Sequence, residues 1–382
     1  MGNIVSEVII AKYVRSPFTP AKKGLLKDIR ADDLASQTIK KMLENVSLEK
    51  KDIEDVIIGC ANGEGEQGLN VARVISFLAG LPISSGATTV NRLCASSMTA
   101  IHNAAGAIAL NSGNLFICGG VESMSHVPMV GFNFSPNENL KNDFPQAYCT
   151  WGQTAENVAK KYQITKKEQN EFAYHSHMKT ILAQKNNNFS NEIVEINFEN
   201  QIINEDGCIR PSTTIESLEE LKPAFEENGT VTAGNSSPLT DGATALLLCS
   251  KEYAINNGLE MLAKIKAIAV HGCEPDFMGL GPIGATRKAL ERASLSIKDI
   301  GLVELNEAFA SQSIACIREL DINEEKLNID GGAIAIGHPL GATGARITGK
   351  AASLLKREKV EFSLATQCIG SGQGLSTILE AV

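Results

Sequence analysis

The chain carries the same landmarks twice. Lys51-Asp52-Ile53 stands just ahead of the apolar run Val56-Ile57-Ile58-Gly59, and Lys298-Asp299-Ile300, 247 residues further on, stands ahead of Leu302-Val303-Glu304-Leu305. At that same spacing the buried-type run Leu115-Phe116-Ile117-Cys118-Gly119-Gly120 is answered by Phe362-Ser363-Leu364-Ala365-Thr366-Gln367, and Cys94 by Gly341. A fixed internal spacing is the mark of duplicated supersecondary units, so the chain should fold as two similar halves. Within each half, short apolar runs alternate with helical patterns such as 33–45, 97–110 and 285–293. That alternation predicts α/β halves with a mainly parallel, helix-covered sheet, entered by a first strand at 4–11. Between about 122 and 240 the texture changes to polar loops and a charged helix at 166–185, which reads as an inserted loop or lid domain. The expected division is 1–252, insertion included, and 258–382.

Length agrees, because 382 residues exceed what one small core organises. The net charge of −9 comes without any lysine or arginine block, which argues against nucleic acid as a partner. An anionic ligand would have to be held by a few local cations and by helix N-termini. Nine cysteines are odd in number, widely spaced and free of CxxC pairs, so neither a disulfide framework nor a zinc cluster is expected, and a reducing cytoplasm is the expected compartment. No basic segment leads into an apolar signal core, and no apolar window approaches the ~18 residues of a membrane span. Met1-Gly2-Asn3-Ile4-Val5-Ser6 fits the bare myristoylation pattern, but a lipid there conflicts with a buried first strand; Glu380-Ala381-Val382 is no peroxisomal address.

Four segments could carry chemistry. Cys94 lies in Asn91-Arg92-Leu93-Cys94-Ala95-Ser96-Ser97, between a strand-like Thr88-Thr89-Val90 and an alanine-rich helix. A thiol at a helix N-terminus meets free N–H groups and a dipole that favour the nucleophilic thiolate; the plainer alternative is a small buried thiol. His338 lies in Gly337-His338-Pro339-Leu340-Gly341-Ala342-Thr343-Gly344, where small residues allow close approach and an imidazole can take a thiol proton. Cys368 ends a buried strand and enters Ile369-Gly370-Ser371-Gly372, whose N–H groups can cradle an oxyanion. Asn306, after the strand 302–305, either orients a water or simply caps a helix.

Two motifs are decoys. Gly63-Glu64-Gly65-Glu66-Gln67-Gly68 fits GxGxxG, but no acid follows before Glu122 to hold a ribose, and two glutamates would repel a pyrophosphate. The stretch 344–350 approximates a P-loop, yet Ala351 stands where Ser or Thr would hold Mg²⁺, and the segment reads as helix.

Taken together, the Cys94 segment, Asn306-Glu307-Ala308-Phe309-Ala310, the glycine-rich His338 segment and Cys368-Ile369-Gly370-Ser371-Gly372-Gln373-Gly374 resemble the thiolase family in order and spacing. Gly119-Gly120-Val121-Glu122-Ser123-Met124 and the Cys368 segment resemble its degradative type, the β subunit of bacterial fatty-acid oxidation complexes. The resemblance implies a layered α-β-α-β-α fold of two βαβαβαββ halves. It implies cleavage of 3-ketoacyl-CoA by coenzyme A, with Cys94 as acyl-carrying nucleophile, His338 as its activator and Cys368 as general acid and base. The Asn306 water and His338 would stabilise one oxyanion, and the N–H groups of Cys94 and Gly370 the other. Ser237 and Arg210 would contact CoA, which is a substrate, so neither a cofactor nor a metal is implied. A homodimer or dimer of dimers, and a hydratase/dehydrogenase α subunit, are the implied protein partners.

Trp151, the only tryptophan, departs from the family's usual methionine and would stand near the acyl or pantetheine tunnel. Segment 130–150 matches the family poorly. Competing readings are a biosynthetic acetoacetyl-CoA thiolase, a β-ketoacyl synthase (which Cys368 argues against), a cysteine hydrolase and an inactive CoA-binding scaffold.

Overall fold

The computed structural model describes residues 6–44 and 46–382. Met1 to Val5 of the myristoylation pattern and Asn45 of the first helical pattern lie outside the described residues. The first half runs β1 (Val8–Arg15), β2 (Thr19–Pro20), α1 (Ala31–Glu44), β3 (Asp55–Gly59), α2 (Val71–Leu78), β4 (Gly86–Val90), α3 (Ser96–Ala109) and β5 (Leu115–Ser123). The insertion holds α4 (Glu138–Asp143), α5 (Trp151–Lys161), α6 (Lys166–Lys185), the hairpin β6 (Ile196–Phe198) and β7 (Gln201–Ile203), and α7 (Ile215–Glu219). The chain returns through β8 (Thr240–Ser250) and α8 (Lys251–Asn256). The second half follows as β9 (Ala263–Gly272), α9 (Gly281–Ala293), β10 (Leu302–Leu305), α10 (Ala310–Leu320), α11 (Ala333–Ile336), α12 (Leu340–Glu358), β11 (Phe362–Ile369) and β12 (Gln373–Glu380).

The repeat is visible in the strand order. The main sheet reads β10-β11-β12-β9-β1-β8-β5-β3-β4, with β2 on β8. Outward from the middle, β9-β12-β11-β10 mirrors β1-β8-β5-β3. Among the described residues the sheets of the two halves pair at two positions, Ile9 with Lys264 and Ile10 with Ala263. Each half therefore keeps its own sheet face. Helices α1 and α2 cover one outer face around Leu34, Ile39 and Ile75, while α9 and α10 cover the other around Ile283, Leu290 and Ile317. Helices α3 and α12 fill the middle, where Met98 and Ile101 share a core with Ala345, Ile347 and Leu355. Helix, sheet, helix, sheet, helix is the expected layering.

One expectation is corrected. The sheet is mixed rather than mainly parallel: β3–β4, β3–β5 and β10–β11 run parallel, but β1–β8, β5–β8, β9–β12 and β11–β12 run antiparallel. Strands β5 and β8 are buried at every position, so their hydropathy lacks the alternation that normally betrays an antiparallel strand.

The insertion is anchored by buried charge. Arg15 on β1 forms ion pairs with Glu192 (2.8 Å) and Asp206 (2.6 Å), and Lys350 on α12 binds Glu192 (2.9 Å) and Asp330 (2.6 Å). The P-loop-like stretch lies inside α12, as its sequence predicts.

Candidate active site

Cys94 occupies a single 3₁₀ turn, Leu93–Ala95, between β4 and α3. Leu93 has φ of 47°, a left-handed conformation uncommon for a branched side chain, so the turn is held sharp and the sulfur projects ahead of the helix. Ala61, Met124, Leu340 and Trp151 pack around it. The thiol is pushed up to about 11: burial outweighs the backbone N–H groups of Gly370 and of Cys94 itself, which favour the anion, and the nearby Glu122 carboxylate raises it further. The N–H groups act in the expected direction, but burial decides, and Cys94 is the buried neutral thiol of the plainer alternative.

Cys368 is fully buried, one residue short of the end of β11. Burial and the neighbouring Cys94 sulfur both hold its thiol well above the ordinary range. Gly370 follows in the β11–β12 turn. A side chain there would stand 2.7 Å from the Trp151 indole nitrogen and 2.8 Å from Leu93, so its backbone is pressed against the Cys94 turn. Cys94, Cys368 and Gly370 come together.

His338 precedes α12 and is buried. Gly337 before it has φ of 112°, which favours glycine, and a Cβ there would meet Thr240 at 2.7 Å. Thr240 Oγ1 accepts the His338 backbone N–H at 3.0 Å. Thr343 Oγ1 gives its own proton to the Pro339 carbonyl (3.0 Å), so the 2.6 Å contact with His338 Nδ1 makes Nδ1–H the donor. Nε2 is then the free base. Burial and the Arg346 charge lower the imidazole to about 3, keeping it neutral.

Asn306 Nδ2 lies 3.4 Å from Nε2, and its backbone N–H donates to Thr366. It is not a helix cap, since α10 starts at Ala310 behind Phe309. Its Oδ1 is buried with no partner among the described residues, as a group reserved for a water would be. The two groups of residues adjoin: Leu340, two residues after His338, packs on the Cys94 cluster, and the Ala345 N–H of α12 donates to Ser97 of α3 at 2.8 Å.

The two CoA candidates fare differently. Ser237 is part-buried and tied to the Asn306 segment, its N–H and Oγ both donating to Ala308 O. Arg210 is exposed on the insertion, two residues past Cys208, whose sulfur lies beneath Gly337. Sequence reasoning missed Thr343 and Glu122. Each is a lone polar residue in a small or apolar run, which is the one signal it leaves.

Residues 8–252 match the thiolase N-terminal domain model and residues 259–381 the thiolase C-terminal domain model. The chain belongs to the thiolase family, a family of acyltransferases. It is 46% identical to the 3-ketoacyl-CoA thiolase of Marinobacter nauticus, with 98% of each chain covered, and 45% identical to that of Bacillus subtilis, with 98% of this chain and 100% of the relative covered. Its fold superposes on human mitochondrial 3-ketoacyl-CoA thiolase in complex with CoA with a TM-score of 0.92 at 35% identity, covering 99% and 98%. The acetyl-CoA acetyltransferase of Bacillus anthracis superposes with a TM-score of 0.91 at 36% identity, both chains fully covered.

Proposed function

We propose that the chain cleaves 3-ketoacyl-CoA with coenzyme A, yielding acetyl-CoA and an acyl-CoA two carbons shorter, in fatty-acid degradation. The observation that carries this is the meeting of two sulfurs, Cys94 and Cys368, beside the Gly370 N–H, with a neutral imidazole on the adjoining turn. Two thiols in one pocket suit a reaction that both forms a thioester and moves a proton to and from carbon.

In this reading His338 Nε2 takes the Cys94 proton as the sulfur attacks the 3-keto carbon. The oxyanion formed is met by the N–H groups of Cys94 and Gly370. The C2–C3 bond breaks, and the acetyl-CoA enolate takes its proton from Cys368. Its thioester oxygen is stabilised by imidazolium Nε2–H and by the water on Asn306. The Cys368 thiolate then deprotonates incoming CoA, whose sulfur attacks acyl-Cys94; Cys94 leaves and recovers its proton from His338. This is covalent catalysis with two half-reactions. Ser237 and Arg210 would contact CoA, itself a substrate, and the halves 1–252 and 258–382 would fold as units. A cytoplasmic homo-oligomer, with or without a hydratase/dehydrogenase α chain, completes the proposal. Among the described residues no helix is long and apolar enough to cross a membrane.

The test is the intact mass of the protein after incubation with a 3-ketoacyl-CoA in the absence of free CoA. An acyl adduct on Cys94, discharged by CoA and not by water, is expected. An adduct on another cysteine, or discharge to free acid, overturns the reading. Turnover on acetoacetyl-CoA against a long-chain 3-ketoacyl-CoA separates the degradative from the biosynthetic type.

A further inference from the structure

Glu122 is fully buried near the end of β5, where every other residue of the strand is apolar or small. Its Oε2 accepts the backbone N–H groups of Ala61 and Gly341, each at 2.9 Å. Its Oε1 accepts the Asn62 N–H at 3.1 Å, Gln67 Nε2 at 3.0 Å and Asn62 Nδ2 at 3.3 Å. All these partners are donors, and the three backbone ones are supplied whatever side chains stand there. Removing the acceptor would leave them as orphaned buried N–H groups.

The donors come from two places that matter. Ala61 is part of the wall packed on Cys94. Gly341 lies in the first turn of α12, beside Thr343, which fixes the His338 ring. Glycine at 120 lets β5 come this close: a Cβ there would sit 2.1 Å from the Gly341 carbonyl oxygen. The loop that imitates a dinucleotide motif also finds its use here. It carries Gln67, whose Nε2 donates to Glu122 and whose Oε1 accepts the Ser123 N–H.

We infer that Glu122 is a positioning residue for the Cys94–His338 pair, a single carboxylate that sets the distance between the nucleophile's wall and the turn bearing the base. The inference rests on the thiolase reading above for the reaction it serves. Misplacing reacting groups by about 1 Å costs about 10²-fold in rate, so Glu122→Gln and Glu122→Asp should each lower kcat by about that factor. KM for the CoA ester should barely move, because neither loop end is assigned to the nucleotide.

The experiment measures kcat, KM and the single-turnover rate of acyl-Cys94 formation in the full chain, with thermal melting as the check on folding. Expected are parallel losses in kcat and acylation rate in folded variants. A wild-type kcat in either folded Glu122 variant overturns the inference. Should neither fold, Gln67→Leu, which strips one donor and leaves the carboxylate, decides: its kcat should fall by a smaller factor, and a wild-type value overturns the inference. If the wild-type protein forms no acyl-Cys94 at all, the thiolase reading itself fails.

Discussion

A thiol held at about 11 and an imidazole held at about 3 do not exchange a proton by themselves. The transfer becomes accessible only when bound substrate supplies the carbon that the sulfur attacks and the oxygen that the imidazolium can meet. Replacing Cys94 by Ser leaves a buried hydroxyl of far higher pKa, and thiolysis should fall below detection while the melting temperature stays within a few degrees; residual wild-type-like turnover would refute the nucleophile. Asn306→Ala removes the atom that can hold a water near Nε2 and should lower kcat by about 10²–10³-fold, the usual effect of losing one oxyanion donor. An unchanged kcat would return Asn306 to a structural role. These residues were legible because each stands in its own local strand-to-turn context. Glu122 was not, since its partners at 61 and 341 are distant in sequence and it looks like a stray acid in an apolar strand. Which of the two readings of Cys94 holds was not legible for a related reason: the helix terminus is local, whereas the burial that outweighs it is contributed by the whole fold.

Between residue and fold, α5 and the insertion loops decide what reaches the sulfur and how firmly the cover sits. Trp151 opens α5, packs on the Cys94 cluster and is only partly buried, so its bulk stands beside the sulfur that would carry the proposed acyl group. Trp151→Met should raise kcat/KM for a long-chain 3-ketoacyl-CoA relative to acetoacetyl-CoA by about tenfold, a change of the size that filling or emptying a small apolar volume gives. An unaltered ratio would place the acyl path elsewhere. Glu192 joins Arg15 on β1 to Lys350 on α12 from within the insertion. Glu192→Ala leaves two buried cations each short of one partner and should cost about 3 kcal/mol in a urea melt, with earlier proteolysis near 186–210. A midpoint equal to wild type would show the insertion held by packing alone. Short apolar runs made most strands of the sheet readable, and the charged texture of the insertion made α6 readable. Strand direction was not, because strands buried on both faces look alike whichever way they run.

At the scale of the whole molecule, the site exists only where the halves meet: Cys94 comes from one, while His338, Cys368 and Asn306 come from the other, and α3 and α12 lie together between the sheets. The site is buried because it is central, and the same burial makes stability depend on pH at both ends. Cys94 at about 11, and Cys208, Cys249 and Cys316 at about 12, lie above the ~8.5 of an unfolded thiol, so their contribution is complete below that value and is lost as pH rises through the folded ones. His338 and His102 at about 3 and His177 at about 4 lie below the ~6.5 of a free imidazole, so their contribution is present above that value and is lost as pH falls. Glu304 works the other way. Burial raises it to about 7, so its contribution is present below ~4.3 and fades as pH climbs through 7, offsetting one histidine on the acid side. Glu122, Asp55 and Asp241, also raised by burial, act in the same sense as Glu304 against the imidazoles. The melting temperature should therefore fall most steeply above about pH 8.5, where the four thiols act together, and less steeply toward acid, where raised carboxyls oppose the imidazoles until the pairs of Asp330 and Glu192 with Lys350 weaken. Calorimetric scans at a series of pH values are the measurement. A melting temperature that is level from pH 8.5 to 11 would mean that the thiols are far better solvated than their packing shows.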